Sequence, residues 1–306
     1  MNPITGLLTA LGVLTVVYIT GWTRAVLGRR QVERRDSHAT DARFPSPFQI
    51  TLGALTNFFD ALGIGSFATT TAIFRLFKMV PDRIIPGTLN VGHTLPTIVQ
   101  AFAFTAIIPV DVLTLFLMIA AAVLGAWLGA GVVASWSKQR VQVGMGAALL
   151  AAATFMLMRQ LSLFPAGSEE IGVRGLKLAI GVGGNFVLGA LMTLGIGLYA
   201  PCMILVSLLG MSERTAFPIM MGSCAFLMPV GSLRFIREQA YSLRNAIGLA
   251  IGGVVGSYVA AKFFGALDIR TVRWLVIVVV LYTAITMLLA ASNEKAASAE
   301  EAERSS

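Results

Sequence analysis

The chain has 306 residues, 56% of them hydrophobic and only 12% charged, with a mean hydropathy of +0.80. Soluble domains carry about a quarter charged residues, so this composition excludes an ordinary soluble enzyme and specifies an integral membrane protein. The formal charge of +8 is assigned to loops that orient a membrane protein. It does not point to nucleic acid, because no long basic run or aromatic-interleaved basic patch is present.

Crossing the hydrocarbon takes roughly 20 apolar residues. In chain order such stretches are expected near 3–22, 86–108, 112–134, 141–161, 215–233, 244–264 and 272–291. The first is followed by Arg24, Arg29, Arg30, Arg34 and Arg35 with no convincing cleavage site, which fits a retained helix better than a removed signal peptide. Two further apolar segments, 48–77 and about 178–210, are too long for one crossing and too short for two. Each contains a Gly-Ile-Gly, at Gly63-Ile64-Gly65 and Gly195-Ile196-Gly197. Glycine permits backbone turns closed to other residues, so each segment is expected to split there into arms of about a dozen residues. Backbone freed at that depth must be buried in protein or line a wet cavity.

These two segments belong to a longer echo. Leu62-Gly63-Ile64-Gly65 recurs as Leu194-Gly195-Ile196-Gly197, and at the same shift of 132 Ala68 meets Ala200, Leu76 meets Leu208, Met79 meets Met211 and Pro86 meets Pro218. Further on, Val123-Leu124-Gly125-Ala126-Trp127 answers Val254-Val255-Gly256-Ser257-Tyr258 at a shift of 131. Paired Gly-interrupted segments in two halves point to a transporter site at a repeat interface. The expected organisation is an N-terminal transmembrane helix with a basic cytoplasmic loop (1–47), a first repeat (48–161), a second repeat (174–291) and a cytoplasmic tail (292–306). Letting both split segments enter and leave on one side keeps more basic residues in the cytoplasm than full crossing does. Each repeat is then a re-entrant hairpin plus three crossings, an odd number that inverts the second copy. The fold class expected is all-α, with the N-terminus outside and the C-terminus inside.

The chemistry-bearing residues cluster around the glycines. Asp60 is the sole acidic residue of the first hairpin, with Asn57 and Thr56 on the same helical face. An ionisable group inside a membrane is costly and normally faces a cavity or a partner. Asp60 has three roles open to it: relaying a proton, coordinating a cation with Asn57, or capping the next half-helix. On 86–108, Asn90, His93, Thr94, Thr97 and Gln100 form one polar stripe at helical spacing, which must face protein or water. After each glycine tip a half-helix begins, and its free N–H groups and positive dipole end suit an anion. Ser66, Thr69 and Thr70 offer hydroxyl donors beside it, or equally small-residue packing. Tyr199 and Pro201 hold the corresponding place after the second tip, where proline costs no used N–H. Candidate substrate-binding residues are therefore Gly63, Gly65, Ser66, Thr69, Thr70, Asn90, His93, Thr94, Gly195, Gly197, Tyr199 and Pro201, with Asp60 and Asn57 as ion-coupling candidates. The Gly125/Gly129 spacing and the glycines at 252, 253 and 256 are read as close helix packing. Cys202 and Cys224 give no metal spacing or disulfide framework, and no catalytic residue, metal or cofactor is expected.

On the duplicated Gly-x-Gly hairpins, the helix starts at Pro86 and Pro218, and the pattern at Gly125-Ala126-Trp127-Leu128-Gly129 and Gly256-Ser257-Tyr258, residues 48–291 resemble the sulfite exporter (TauE/SafE) family of toluene sulfonate uptake permeases. The resemblance implies secondary transport of sulfur-containing anions, such as sulfite or organosulfonates, across a bacterial inner membrane. An anion channel is the nearest alternative. An intramembrane enzyme using Asp60 and His93 is more distant, since no His-Glu-x-x-His, Gly-x-Ser-x-Gly or nucleotide loop is present. Expected partners are a small anion and membrane lipids, with a homodimer compatible.

Overall fold

The computed structural model describes residues 3–33, 44–62, 64–133, 136–163, 169–193, 197–263 and, in part, 274–292. Gly63, Gly195, residues 34–43 and residues 293–306 lie outside the described residues. Among those described, the regular structure is helical: α1 (Pro3–Glu33), α2 (Pro47–Ala61), α3 (Ser66–Leu76), α4 (Ile85–Ile107), α5 (Val112–Val133), α6 (Lys138–Gln160), α7 (Gly175–Met192), α8 (Tyr199–Leu208), α9 (Ala216–Arg237) and α10 (Leu243–Lys262). Short 3-10 turns, Asp82–Ile84 and Glu213–Thr215, lead into α4 and α9. The basic cluster begins on α1 itself, which runs on past Arg24, Arg29 and Arg30, rather than in a loop.

Local chemistry sets the boundaries. Ser46 and Gln49 form a capping box at the start of α2, with the Ser46 N–H donating to Gln49 Oε1 at 2.7 Å and Pro47 in the first turn. Both split segments break as expected, α2 from α3 and α7 from α8. The arms are unequal, however: 15 and 11 residues in the first, 18 and 10 in the second. At 1.5 Å per residue α7 is about 27 Å long, because the helix starts at Gly175, ahead of the apolar stretch read from the sequence.

Among the described residues, six helices are long and apolar enough to cross a membrane: α1, α5, α6, α7, α9 and α10. The expected crossing at 86–108 is present as α4 but falls short of that apolarity, because its polar stripe lowers the hydropathy. Its environment compensates. Asn90, His93, Thr94 and Gln100 are all fully buried, and α4 packs against α9 and α10 at the centre of the molecule. Outward-facing side chains are apolar instead, among them Val16, Trp127, Leu176, Val255 and Tyr258. An apolar exterior over a polar interior suits a lipid surround. Described residues of the expected last crossing are helical, and Ile277, Val280 and Ala284 are buried; Leu288 lies against Gly146 of α6.

The helices pack in the order α2–α10–α4–α9–α5–α7. Glycines bring both outer pairs into backbone contact. A Cβ at Gly252 or Gly256 of α10 would sit 1.8 Å from the Ile50 carbonyl oxygen or 2.0 Å from that of Ala54 on α2. A Cβ at Gly125 of α5 or Gly189 of α7 would sit 2.0 Å from the Phe186 oxygen or 2.1 Å from that of Ala122. This is the small-residue packing that the spacing predicts.

Candidate functional site

The two helix breaks meet in the interior. Between them lies a cavity lined by Asp60, Gly65, Ser66, Phe67 and Thr97 from one part of the chain, and by Met192, Gly197, Leu198, Tyr199 and Cys224 from the other. Its volume is about 10 Å³, close to the room one water needs. The chain can deliver the first residues of α3 to this depth because Gly65 adopts φ +87° and ψ 117°, a conformation open essentially to glycine alone.

Asp60 is the hub. The backbone N–H of Ser66, first residue of α3, donates to Asp60 Oδ1 at 2.5 Å, and Gln100 Nε2 donates to Oδ2 at 3.0 Å. Gln100 Nε2 also lies 3.0 Å from Ser257 Oγ on α10, and the Tyr199 hydroxyl donates to Gln100 Oε1 in a short hydrogen bond. One glutamine thus ties together α2, α10 and α8. Desolvating a carboxylate costs several kcal/mol. Here the half-helix N-terminus, through the Ser66 N–H, and the neutral Gln100 amide offset it in place of a basic side chain. Of the three roles open to Asp60, capping is the one the geometry contains.

His93 stands one layer back. Its Nδ1 is 3.1 Å from Asn57 Oδ1, its Nε2 is 3.1 Å from Thr70 Oγ1, and its ring lies 5.6 Å from that of Phe67, which lines the cavity. Asn57 Nδ2 already donates to the Gly53 carbonyl at 2.8 Å, so Asn57 Oδ1 must accept from Nδ1–H. The neutral ring, taking the Thr70 O–H at Nε2, is then fully satisfied. His93, Asn57 and Thr70 therefore bridge α2, α3 and α4 behind the cavity rather than line it.

The other predicted residues divide similarly. Gly65, Ser66, Gly197 and Tyr199 line the cavity with Asp60. The Thr69 hydroxyl is turned back to its own helix, onto the Gly65 and Ser66 carbonyls. Thr94 Oγ1 donates to the Asn90 carbonyl at 2.6 Å, so at 3.3 Å it accepts from Ser232 on α9. Asn90 Nδ2 bonds the Pro86 carbonyl, and Oδ1 has no partner among the described residues. Pro201 sits in the first turn of α8, half-buried. Thr97 and Gln100 belong to the polar stripe, but the sequence alone does not single them out as site residues. Met192 and Leu198 also escape a reading of the sequence by motif, yet they stand 132 positions after Asp60 and Ser66, so applying the repeat shift to the candidates finds them. Ser257 has no comparable signal beyond its place beside Gly256.

Away from the site, a bidentate pair joins Asp111, ahead of α5, to Arg174, ahead of α7, at 2.7 Å for each bond. The Arg174 guanidinium, with the Thr114 N–H and hydroxyl, holds the Asp111 carboxyl well below the usual carboxylate range. No family model, curated protein or solved structure matches the chain.

Proposed function

We propose that the protein is a secondary carrier for small anions, of the sulfur oxyanion class (sulfite or organosulfonates) that the family resemblance implies, working in a bacterial inner membrane. The observation that carries this reading is the placement of two half-helix starts, at Ser66 and Tyr199, against one interior cavity. The start of α3 already holds an oxyanion, the Asp60 carboxylate, and the dipole end that favours Asp60 favours a substrate oxyanion equally. A cavity of about 10 Å³ is far smaller than an open pore, which favours a carrier over a channel.

The fold behind this function is two inverted repeats, α2 to α6 and α7 to the described helical residues within 274–292, with α1 outside them. Three features support it. The order long arm, short arm, 3-10 turn, long helix occurs in both halves. Exchanging α2 with α7, α4 with α9 and α5 with α10 maps the observed packing onto itself. Gly125 on Phe186 and Gly256 on Ala54 are the same contact under the 131/132 shift. With the N-terminus outside and the C-terminus inside, the breaks approach from opposite faces, as alternating access needs. Lys78→Cys and Arg214→Cys in a cysteine-free background are expected to label from opposite sides; labelling from one side overturns the inversion.

The transport test is counterflow in proteoliposomes with labelled sulfite and with a labelled sulfonate. Saturable uptake that unlabelled anion on the far side accelerates is the expected result. Flux linear in concentration, or no flux of any sulfur oxyanion, overturns the reading.

A further inference from the structure

We propose that Asp60 is a resident stand-in for the transported anion: its carboxylate fills the oxyanion seat at the start of α3 when the site is empty, and surrenders it to substrate while taking up a proton. The proposal rests on the carrier reading and names how that same site couples anion to ion.

Geometry motivates it first. The donors that an oxyanion would need at the breaks, the Ser66 N–H and the Gln100 amide, are both spent on Asp60, at 2.5 Å and 3.0 Å. Beside them the cavity has room for about one water, so a sulfonate or sulfite group cannot enter while the Asp60 carboxylate stays in place. Admitting the anion means moving the carboxylate, and moving it strips both of its donors.

Charge then decides the fate of the displaced group. The elements packed around Asp60 bring it neutral groups. The start of α3 supplies the Ser66 N–H with the Ser66 hydroxyl beside it, α4 supplies the Gln100 amide and places Thr97 in the cavity wall, and α10 supplies Ser257, which accepts from Gln100. Among the described residues, the titratable groups facing Asp60 are Tyr199 from α8 and Cys224 from α9, both neutral in their ordinary state and neither able to become a cation. On α4, His93 is turned away into its own bridge between Asn57 and Thr70. No described lysine or arginine pairs with Asp60. A substrate anion beside an ionised, donor-less Asp60 would put two negative charges in a low-dielectric interior. Protonation removes the second. The displaced carboxylate takes H⁺ from water on the open side and becomes the neutral acid, while the anion accepts the Ser66 N–H and the Gln100 amide. The site then carries one negative charge both before and after, and anion and proton move together. When the anion leaves, Asp60 gives up its proton and recaps α3.

The test is calorimetric titration of the full chain in detergent with methanesulfonate and with toluenesulfonate, strong-acid anions with no titratable proton of their own. Two cationic buffers of different ionisation enthalpy give the proton count. Wild type is expected to take up about one proton per anion bound, with Kd rising about tenfold per pH unit while Asp60 is ionised in the empty site. Asp60→Asn keeps a capping oxygen without the charge, and is expected to bind with no proton uptake and a pH-independent Kd. Wild-type binding with no proton uptake overturns the stand-in and leaves the carrier reading standing, as does undiminished uptake in Asp60→Asn. Should that variant fail to fold, the wild-type count alone decides. If neither sulfonate binds wild type, the stand-in and the substrate class fall together.

Discussion

Replacing Gly252 by alanine tests the packing that positions the site. The added methyl would lie 1.8 Å from the Ile50 carbonyl oxygen, whereas a carbon rests about 3.3 Å or more from such an oxygen. Helices α2 and α10 must therefore part by roughly 1.5 Å at that point. The obstruction is backbone, with no side chain to swing aside, so the cost belongs at the upper end of the usual overpacking range, about 3 kcal/mol. Separation also loosens the contacts of Gly53 with Leu249 and Gly256 with Ala54. It carries Ser257 away from Gln100, now 3.0 Å distant. Because one displacement serves both sites, Gly252→Ala and Gly256→Ala together are expected to cost less than the sum of the two. Gly189→Ala, facing the Ala122 oxygen at 2.1 Å, is expected to show the same loss on the α5–α7 side. Gly183→Ala is the control: nothing lies within 4 Å of its Cβ position, and relief from glycine in a helix is expected to stabilise by about 0.5–1 kcal/mol. Thermal unfolding of the purified variants in one detergent reads all of these. A Gly252→Ala protein as stable as wild type, or a Gly183→Ala protein as damaged as Gly252→Ala, refutes the reasoning.

The ring of His93 bridges Asn57 and Thr70 without lining the cavity. His93→Gln is therefore expected to lower stability by about 1 kcal/mol while leaving the pH profile of uptake unmoved; a shifted profile would show that the ring titrates during transport. The Asp111 carboxyl is held low by Arg174, so its stabilising contribution is full above the ordinary aspartate value of about 3.9 and declines as pH falls from there towards the folded value. Asp111→Asn keeps one oxygen for the cap on Thr114, but loses the charge and the second oxygen that accepts from Arg174. Its melting temperature is expected to lie below wild type at neutral pH, more so in low salt, and to converge with it in acid. A constant gap across that pH range would show that the pair does not carry the difference.

How much of this is legible in the sequence depends on the range of each interaction. Helix breaks, the buried stripe and the glycine contacts come from local rules: backbone freedom, helical period and side-chain size. They are readable at Gly65, Asn90–Gln100 and Gly125. What the stripe touches is not, because side chains of the one stripe on α4 diverge to different neighbours. Thr94 meets α9, His93 meets α2 and α3, and Gln100 meets α2, α8 and α10. That division is set by which helices surround α4, a property of the assembled fold. The crossing read at 86–108 fails the apolarity expected of a lipid-facing helix for the same reason: a helix enclosed by its neighbours is free to be polar.

The contact between Asp60 and Ser66 depends most on the break itself, and Gly65 is where it can be tested. In an unbroken helix residues 60 and 66 would be separated by about 9 Å along the axis; the observed bond of 2.5 Å exists because the helix is broken between them. Gly65 supplies that turn at φ +87° and ψ 117°, yet nothing lies within 4 Å of where its Cβ would be. Any penalty at this position is therefore backbone strain alone. Asparagine tolerates the left-handed helical well, but ψ here lies far outside that well. Gly65→Asn is accordingly expected to be no better than Gly65→Ala, each losing about 1–3 kcal/mol as the start of α3 moves off the Asp60 carboxylate. Thermal unfolding of the two variants beside wild type gives the answer. If asparagine restores wild-type stability while alanine does not, the turn needs only an ordinary left-handed residue. If neither substitution matters, the seat at the start of α3 is held by something other than this glycine.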